Sequence, residues 1–527
     1  MKKIIYTLTL LLSLTMTTSC SDWLDLLPNN EQVTDDYWKS KEDVEAVIAS
    51  GYYYMRECVP YYIKWGELRG GSIYSNNTAD VQVQNFNETQ SYALCNYASF
   101  YKVINMANSV IKYAPGVRSI DNTYYESVMN SHLCEAYFMR AYSYFTLLKN
   151  YKEVPLVLDA YVNDEKSFDI AKSSDTTIIA QIKKDIQTAL ATGAAKGTYD
   201  QDWETKGRVT KWALYALMAD VCLWNEDYDE CIQYANMILD ATDQFRPAFM
   251  TNSSDWFSMF YPGNSNESIF ELNWNKASYA ETNNFYSMFT LTNTSRLKPT
   301  TRAVDKMKEE TSELKTKGFA TDTRMGRMLL ATYVPSASEI LSWPTTDQYY
   351  IWKYNGTDVA DITGGARTNQ DAHFIIYRVA EVMLMKAEAL VMKGRSSYLP
   401  AVKLINKIRN RAGLDNYKGI DTDAADAEQQ MDQLDELTLL EEILDQRDME
   451  FMGEGKRWYD LLRFGRKQNF KYKEQFIAMV LEGNQTTNSA WIQSVLQNSN
   501  AWYMPLPESD INSNKLLKQN PYYVTTK

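Results

Sequence analysis

Aromatic side chains stand beside polar ones at several places in this chain of 527 residues. The pattern occurs in Trp65 with Glu67 and Arg69, Tyr74 with Asn76 and Asn77, Trp274 between Asn273 and Asn275, Tyr279 with Asn283, and Trp343 with Asp347. A flat aromatic ring can cover the C–H face of a sugar while neighbouring polar groups bind its hydroxyls. The pattern therefore favours binding of a saccharide by stacking and hydrogen bonding.

The candidate ligand contacts are Trp65, Glu67, Arg69, Tyr74, Trp274, Tyr279 and Trp343. Trp65 and Trp274 are preferred because polar neighbours flank both in sequence typical of loops. The alternative is a structural role, since a protein with 38 Tyr and 13 Trp must bury most of these rings. At about 1 kcal/mol per stacked ring, one site would bind weakly, with a Kd on the order of 10 μM to 1 mM.

A second candidate for chemistry is the segment ILDQRDMEFMGEGKRWYDLLRFGR, in which acidic and basic residues alternate. Glycoside hydrolysis needs two carboxylates, so Glu450 and Glu454 invite an enzymatic interpretation. However, these two residues stand at helical spacing, as do Asp460 and Arg463, within a run dense in opposite charges. We therefore predict that the segment forms a structural ion-pair network rather than a catalytic pair.

No other catalytic motif is present in the sequence: there is no GxSxG elbow, no HExxH, no phosphate loop and no nucleophile with a histidine base. We predict a binding protein rather than an enzyme, with no cofactor and no metal site. The formal net charge of -13 argues against nucleic acid as a partner, because phosphate contacts need clustered lysine and arginine.

Apart from Cys20, the cysteines are Cys58, Cys95, Cys134, Cys222 and Cys231. Their number is odd, none belongs to a CxxC pair, and none has zinc-type spacing to a histidine. These features predict buried free thiols. A disulfide between Cys58 and Cys95 is the alternative for an exported protein.

Helices must position these residues, because apolar positions recur at steps of three and four over long stretches. One such face contains Cys134, Phe138, Ala141, Phe145 and Leu148. Another contains Ile179, Ile182, Ile186 and Leu190, with Ser174 or Asp175 as the N-cap. Each of these helices needs a partner to cover its apolar face.

The stretch ALMADVCLWNEDYDECIQYANMIL resembles a tetratricopeptide helix hairpin, with small or aromatic residues in its facing positions. Those positions are Ala219, Cys231, Tyr234 and Ala235, and a looser copy places Ala387 and Ala401 around a turn at Gly394. We predict a predominantly all-α fold, a tetratricopeptide-like superhelix of helix pairs with long loop-rich insertions that form a ligand-binding surface.

The expected organisation is a single domain over 20–527 after a signal peptide at 1–19. Its helical scaffold covers about 36–57, 93–240 and 371–467, and a C-terminal tail covers 468–527. Helical periodicity fades in insertions at about 58–92 and 245–370, where Asn, Thr, Ser, Gly, Trp and Tyr accumulate. Loops of this length in a compact domain are usually functional or disordered, and the aromatic content argues against disorder.

The first residues, MKKIIYTLTLLLSLTMTTSC, have the form of a bacterial lipoprotein signal. Lys2 and Lys3 precede an apolar run that is too short to span a bilayer, and the small residue Ser19 precedes Cys20. Cleavage before Cys20 would leave that cysteine lipidated, and several acyl chains hold a protein stably on a membrane. An ordinary secretory signal with an incidental cysteine is the alternative.

The chain resembles the SusD/RagB family of outer-membrane nutrient-binding lipoproteins along nearly its whole length. The marks of this resemblance are CSDWLDLLPN, EAYFMRAYSYFTLLKNYKEVPLV, RVTKWALYALMADVCLW, IIYRVAEVMLMKAEAL, ILDQRDMEFMGEGKRWYDLLRFG and PLPESDINSNKLLKQNPYY. The resemblance implies a helical fold with four tetratricopeptide-like units, a ligand site on the loop regions, and partnership with a SusC-like TonB-dependent transporter. It also implies a location on the cell outer membrane, lipid-anchored through Cys20 and facing outside.

Three functions follow from these residues and this resemblance. The first is capture of an oligosaccharide for delivery to the transporter, and the second is capture of a peptide by a RagB-like lid of such a transporter. Burial of Trp65 and Trp274 beside a cleft lined by backbone amides and asparagine would favour the peptide. The third is a glycoside hydrolase, which would need two carboxylates facing each other across a pocket at about 5 to 10 Å.

Overall fold

The computed structural model describes residues 37–162, 167–290, 296–314, 329–331, 349–356, 367–484 and 488–524. Cys20 and the signal sequence lie outside these residues, as do Trp343 and Asp347. Across the described part of the chain, no helix combines the length and the apolar character needed to cross a bilayer.

Helices form most of the N-terminal half. They are α1 (Lys41–Glu57), α2 (Val59–Glu67), α3 (Thr78–Gln84), α4 (Ala98–Ile120), α5 (Glu126–Tyr151), α6 (Asp175–Ala191), α7 (Asp202–Gly207), α8 (Lys211–Trp224), α9 (Tyr228–Leu239) and α10 (Lys276–Tyr279).

Helices continue through the described residues of the C-terminal half. They are α11 (Thr301–Leu314), α12 (Val379–Met392), α13 (Tyr398–Arg411), α14 (Ala427–Gln430), α15 (Glu436–Phe451), α16 (Arg457–Phe470), α17 (Lys473–Gly483), α18 (Ser489–Leu496) and α19 (Glu508–Ser513). Short 3-10 turns lie at Ala93–Cys95, Ser253–Met259, Tyr286–Met288, Trp352–Tyr354, Arg395–Ser397, Tyr417–Gly419, Met431–Gln433, Ser499–Trp502 and Pro521–Tyr523.

The strands are short and pair antiparallel in twos. They are β1 (Ile73–Tyr74), β2 (Val154–Pro155), β3 (Lys172–Ser173), β4 (Ser268–Leu272), β5 (Lys298–Pro299), β6 (Leu329–Ala331), β7 (Tyr349–Ile351) and β8 (Phe374–Arg378). The pairs are β1 with β5, β2 with β3, β4 with β8, and β6 with β7. The buried β4–β8 pair joins the start of α12 to the second insertion.

The scaffold is a stack of helix pairs, which confirms the predicted all-α, tetratricopeptide-like fold. Helix α1 packs on α4, α5 on α6, α8 on α9, and α12 on α13. Contacts of α4 with α5, and of α9 with α12, join successive pairs into one body with one main hydrophobic core. The tetratricopeptide spacing works because small buried residues line the crossings; they include Ala219, Cys231, Ala235, Ala387 and Ala401.

The predicted apolar faces are in the core. The whole α5 face from Cys134 to Leu148 is buried, and so are Ile179, Ile182 and Ile186 on α6. Ser174 is the N-cap of α6, where its side chain accepts a hydrogen bond from the backbone N–H of Thr177 at 3.2 Å. Helical periodicity therefore predicted both the elements and their buried sides.

The cysteines that the structure describes are buried and free, including Cys58 and Cys95. Burial raises the pKa of the Cys95 thiol far above its usual value, with the Glu88 carboxylate adding to the shift. A buried, protonated thiol is a poor nucleophile, so these residues behave as small apolar side chains.

Candidate functional site

The two insertions meet at the β1–β5 pair. Ile73 faces Pro299 and Tyr74 faces Lys298 across an antiparallel ladder, so residues more than two hundred positions apart become neighbours. Thr300 extends the junction: its backbone N–H donates to Ser72 O at 2.9 Å and its hydroxyl to Gly71 O at 2.8 Å. A groove forms beside this junction, and we call it the insertion groove.

The insertion groove has a volume of about 280 Å³ and is closed on one side by the end of α17. Its lining side chains include Tyr74, Ser75, Asn76, Gln84, Thr300 and Asn484. Gln84 holds the β1 end in place, accepting from Ser75 N at 2.6 Å and donating to Ser75 O at 3.3 Å. The amide of Asn484 donates to Gln84 O at 2.8 Å, so the polar wall is fixed before any ligand arrives.

Tyr74 is the aromatic side chain of this groove. Its ring is half-buried, and the ammonium of the buried Lys298 lies 5.9 Å from the ring centre. Asn76 and Asn77 next to it are exposed, and Asn77 caps α3 by accepting from Ala79 N at 2.9 Å. An aromatic ring beside amide and hydroxyl groups is the combination that suits a single sugar ring.

Two glycines allow the groove to close against α17. A Cβ built on Gly483 would lie 2.2 Å from the backbone oxygen of Gly71, and one on Gly71 would lie 2.9 Å from Gly483 Cα. Gly71 also has a φ of 75°, a value that other residues rarely adopt. Both positions therefore need glycine for the close approach of the two backbones.

The preference for Trp65 as a stacking residue is wrong. Its stretch is not a loop but helix α2, and its side chain is fully buried. The indole stacks on Phe100 with ring centres 5.0 Å apart, and its N–H donates to Leu94 O at 2.8 Å. Both the ring face and the polar edge are used by the core, so neither is available to a sugar.

Glu67 and Arg69 are also structural. The Glu67 carboxylate accepts from the backbone N–H of Gly455 at 2.7 Å, and burial raises the pKa of Glu67 to about 8. Arg69 is buried, donates to Trp502 O at 3.1 Å and lies over the Trp458 ring. Their alternation with Trp65 reflects contacts in the interior rather than a ligand surface.

Trp274 lies just after β4 and is 6% exposed. Its ring packs edge-on against Phe285 at 5.5 Å, with the Arg56 guanidinium 5.7 Å from its centre. Asn273 and Asn275 beside it make local bonds: Asn273 donates to Trp203 O, and Asn275 caps α10. Trp274 is therefore a core residue, and the expectation that it stacks on a ligand is wrong.

Tyr279, in contrast, is 69% exposed at the end of α10, so its role as a ligand contact stays a prediction. Its neighbour Asn283 is buried and donates to Ala372 O at 3.2 Å, which makes it part of the loop framework. Trp343 lies outside the described residues, and its role also stays a prediction.

The alternating acid–base segment forms a buried ion-pair network, as predicted. Arg378, at the end of β8, bonds Glu450 at 2.7 Å, Glu454 at 3.0 Å and Glu267 at 3.2 Å. Arg411 bonds Glu450 at 2.7 Å and also contacts Glu267. All of these groups are buried, so Glu450 and Glu454 are committed to arginine partners rather than facing each other across a pocket.

The network continues along α16. Arg463 bonds Glu388 at 2.7 Å and Asp460 at 3.0 Å, and Lys467 bonds Glu388 at 2.7 Å. Burial by itself would raise the pKa of Glu388, but the charges of Arg463 and Lys467 lower it well below its usual value. Glu388 is therefore an ionised structural group that joins α12 to α16.

Sequence reasoning missed Gln84, Thr300 and Asn484 in the insertion groove. They come from three separate segments, and only the β1–β5 pairing and the Gly71–Gly483 approach bring them together. The Asn-rich YSNN sequence after β1 was a usable signal, because it marks Tyr74.

Comparison with known proteins agrees with this fold. SusD-like protein P38 of Formosa agariphila is 26% identical over 508 residues, which cover 88% of this chain and 91% of that protein. A SusD superfamily structure from Bacteroides vulgatus matches with a TM-score of 0.73 at 21% identity, covering 92% of this chain and 99% of that one. A laminarin-binding SusD-like protein matches with a TM-score of 0.66 at 18% identity, covering 92% and 100%.

The sequence profile of the SusD family matches residues 111–523. This span includes helices α5 to α19 and the C-terminal turn, which is most of the helical scaffold and the whole second insertion. On this match, the chain belongs to the SusD family.

Proposed function

We propose that this protein captures an oligosaccharide at the cell surface and passes it to a SusC-like TonB-dependent transporter, without catalysing a reaction. The observation that carries the proposal is the insertion groove, where Tyr74 lies beside the exposed Asn76 and the half-buried Asn484. Laminarin binding by a relative with the same fold supports a saccharide as the ligand class.

The groove suits weak capture. One ring face and a few amides contribute about 1 kcal/mol each, which leaves little after the cost of association. Weak binding is sufficient if the protein is held close to a pore, because a tethered site experiences a high effective concentration. The net charge of -13 disfavours a strongly anionic ligand.

Replacing Tyr74 by alanine is expected to weaken binding at the groove about fivefold to tenfold, by loss of one stacking face. Isothermal titration of the chain begun after Cys20, against oligosaccharides chosen from a glycan array, measures this loss. Tyr125→Ala is the matched control, because Tyr125 is 68% exposed at the start of α5 and is not among the groove residues. Equal affinities for the wild type and Tyr74→Ala would refute the groove as the site.

A peptide is the second candidate ligand, and a specific observation favours it. Trp65 and Trp274 are both buried, and the groove is lined by amide side chains and by backbone at Gly71 and Gly483. Such a surface can bind a peptide backbone. The same titration should therefore include a peptide library, and peptide binding without glycan binding would replace the first proposal by this one.

Membrane attachment through Cys20 is a further part of the proposal. Antibody labelling of intact cells is expected to detect the wild-type chain at the surface. Cys20→Ala is expected to abolish this labelling, because removing the acyl chains removes the anchor. Surface labelling that Cys20→Ala leaves unchanged would contradict lipid anchoring at this residue.

A further inference from the structure

A second cavity, larger than the insertion groove, lies between α1, α4, the loop from β2 to β3, and the C-terminal segment around α19. Its volume is about 570 Å³, within the range of small-molecule sites. Aromatic rings from three parts of the chain line it: Tyr54, Tyr97, Tyr101, Tyr161 and Phe168. We call it the tyrosine cavity.

The rings of this cavity lie close together. Tyr161 and Phe168 are stacked with centres 5.1 Å apart and planes inclined by 28°, and Tyr97 and Tyr101 have centres 5.2 Å apart. The Tyr101 hydroxyl donates to Pro155 O at 2.7 Å, which fixes that ring to the β2 end. Phe168 is exposed and Tyr54, Tyr101 and Tyr161 are half-buried, so these rings offer flat apolar surfaces to a small ligand, while the buried Tyr97 supports them from behind.

Its walls are held in place without a ligand. Asn105 on α4 donates to Tyr161 O and accepts from Tyr161 N, both at 2.8 Å. On the other side, Asn514 donates to Ile170 O at 2.8 Å. These bonds tie Tyr161 to α4 and Ile170 to the C-terminal segment, so the described cavity walls on both sides are fixed without a ligand.

The mouth carries one charge of each sign. The exposed Lys102 lies with its ammonium 5.4 Å from the Tyr54 ring centre, and the half-buried Asp510 lies beside Tyr97. Burial, with Asp510 adding to it, raises the pKa of Tyr97 far above its usual value, so its hydroxyl stays protonated. A cavity lined by both an ammonium donor and a carboxylate acceptor suits hydroxyl groups, which both accept and donate.

The rim is apolar and open to solvent. The ring of Phe168 lines the cavity and is 61% exposed. An exposed aromatic ring at a preformed cavity is a usual feature of a ligand site. A purely apolar ligand would leave Lys102 and Asp510 without a role, and a charged polymer would meet one repulsive partner.

We propose that the tyrosine cavity is a second saccharide site, which takes one or two pyranose rings of a neutral oligosaccharide. The inference rests on the proposed function and adds a site outside the two insertions. Its lining comes from the scaffold and the C-terminal segment, so it is separate from the insertion groove in every residue. Two weak sites on one chain would retain a long glycan better than either alone.

The test uses the full-length chain in lipid nanodiscs and the neutral oligosaccharide that binds best on a glycan array. Ala98→Trp fills the cavity from an exposed position in the first turn of α4. Phe168→Ala removes a rim ring, and Phe245→Ala is its matched control, because Phe245 is 63% exposed elsewhere. Each variant is made in the wild type and in Tyr74→Ala, and titration calorimetry measures the affinity.

We expect Tyr74→Ala to retain binding at the cavity. In the Tyr74→Ala background, Phe168→Ala should weaken this cavity binding about fivefold and Ala98→Trp should abolish it, leaving only the weakened binding of the groove, while Phe245→Ala changes nothing. If Ala98→Trp and Phe168→Ala leave binding unchanged in both backgrounds, the second site is refuted while glycan capture stands. If Ala98→Trp and Phe168→Ala lose binding while Tyr74→Ala keeps the wild-type affinity, this site is supported and the groove is refuted. A wild type that binds no glycan on the array would refute the proposed function and this inference together.

Discussion

Replacing Arg378 by methionine is expected to destabilise the protein by about 3–5 kcal/mol, or to prevent folding altogether. Arg378 is fully buried and bonds three carboxylates, those of Glu267, Glu450 and Glu454. Methionine fills much of the same volume but leaves these acids with too few cations. Burial by itself would raise the pKa of Glu454, whereas Arg378 and Lys353 lower it, so losing Arg378 forces an acid to take up a proton.

Equilibrium urea denaturation followed by circular dichroism measures this effect. Arg118→Met is the matched control, since Arg118 pairs with Glu126 in an exposed ion pair at 3.4 Å. Exposed pairs of this kind contribute about 0–1 kcal/mol, so the free energy of unfolding of Arg118→Met should be close to that of the wild type. A loss below about 1 kcal/mol for Arg378→Met would show that the network is dispensable, as hydrophobic replacement of some buried ion pairs has been.

The helical scaffold was predictable because its signal is local. Phe138, Phe145 and Leu148 lie on one side of a helix by spacing alone, and burying that side is what the hydrophobic effect requires. The acid–base alternation near Glu450 was predictable for a similar reason. Acidic and basic residues in a dense helical run are expected to form ion pairs, and Glu450 of this run pairs with Arg378.

The candidate site was less predictable because its contacts are between distant segments. Trp65 has polar neighbours in sequence, but helix α2 turns its ring inward and its neighbours Glu67 and Arg69 find partners in the core. Local polarity thus failed as a measure of exposure. Tyr74 was identified from the same pattern, and it lines the groove because β1 pairs with a strand from the other insertion.

Helix α2 leads from the buried network to the insertion groove along the chain. Glu67, the last residue of α2, binds the turn at Gly455, next to Glu454 of the network. A few residues later the same stretch of chain contributes Gly71 and Tyr74 to the groove. The end of α2 is thus bonded to the turn that carries Glu454, a few residues before Gly71 in the groove.

Replacing Glu67 by glutamine is expected to raise the free energy of unfolding, by an amount that grows as the pH rises. Burial raises the pKa of Glu67 to about 8, against an ordinary value of 4.5. Below pH 4.5 the carboxyl is protonated in both folded and unfolded chains and contributes no difference. Between these two pH values only the unfolded chain releases the proton, so the wild type loses stability with rising pH, and the loss is complete above pH 8.

Glutamine does not titrate and can still accept from Gly455, so it removes this loss. At about 1.4 kcal/mol per pKa unit, the gain over the wild type reaches at most about 5 kcal/mol near pH 9 and is small near pH 5. Urea denaturation of both proteins from pH 5 to 9 measures this difference. Glu126→Gln is the exposed control, and its free energy of unfolding is expected to differ from that of the wild type by the same amount at every pH in this range. If the difference in free energy of unfolding between Glu67→Gln and the wild type did not change with pH, Glu67 would be ionised in the folded protein. Burial would then be outweighed by the Gly455 and Lys456 backbone N–H groups that the carboxylate contacts at 2.7 and 3.4 Å.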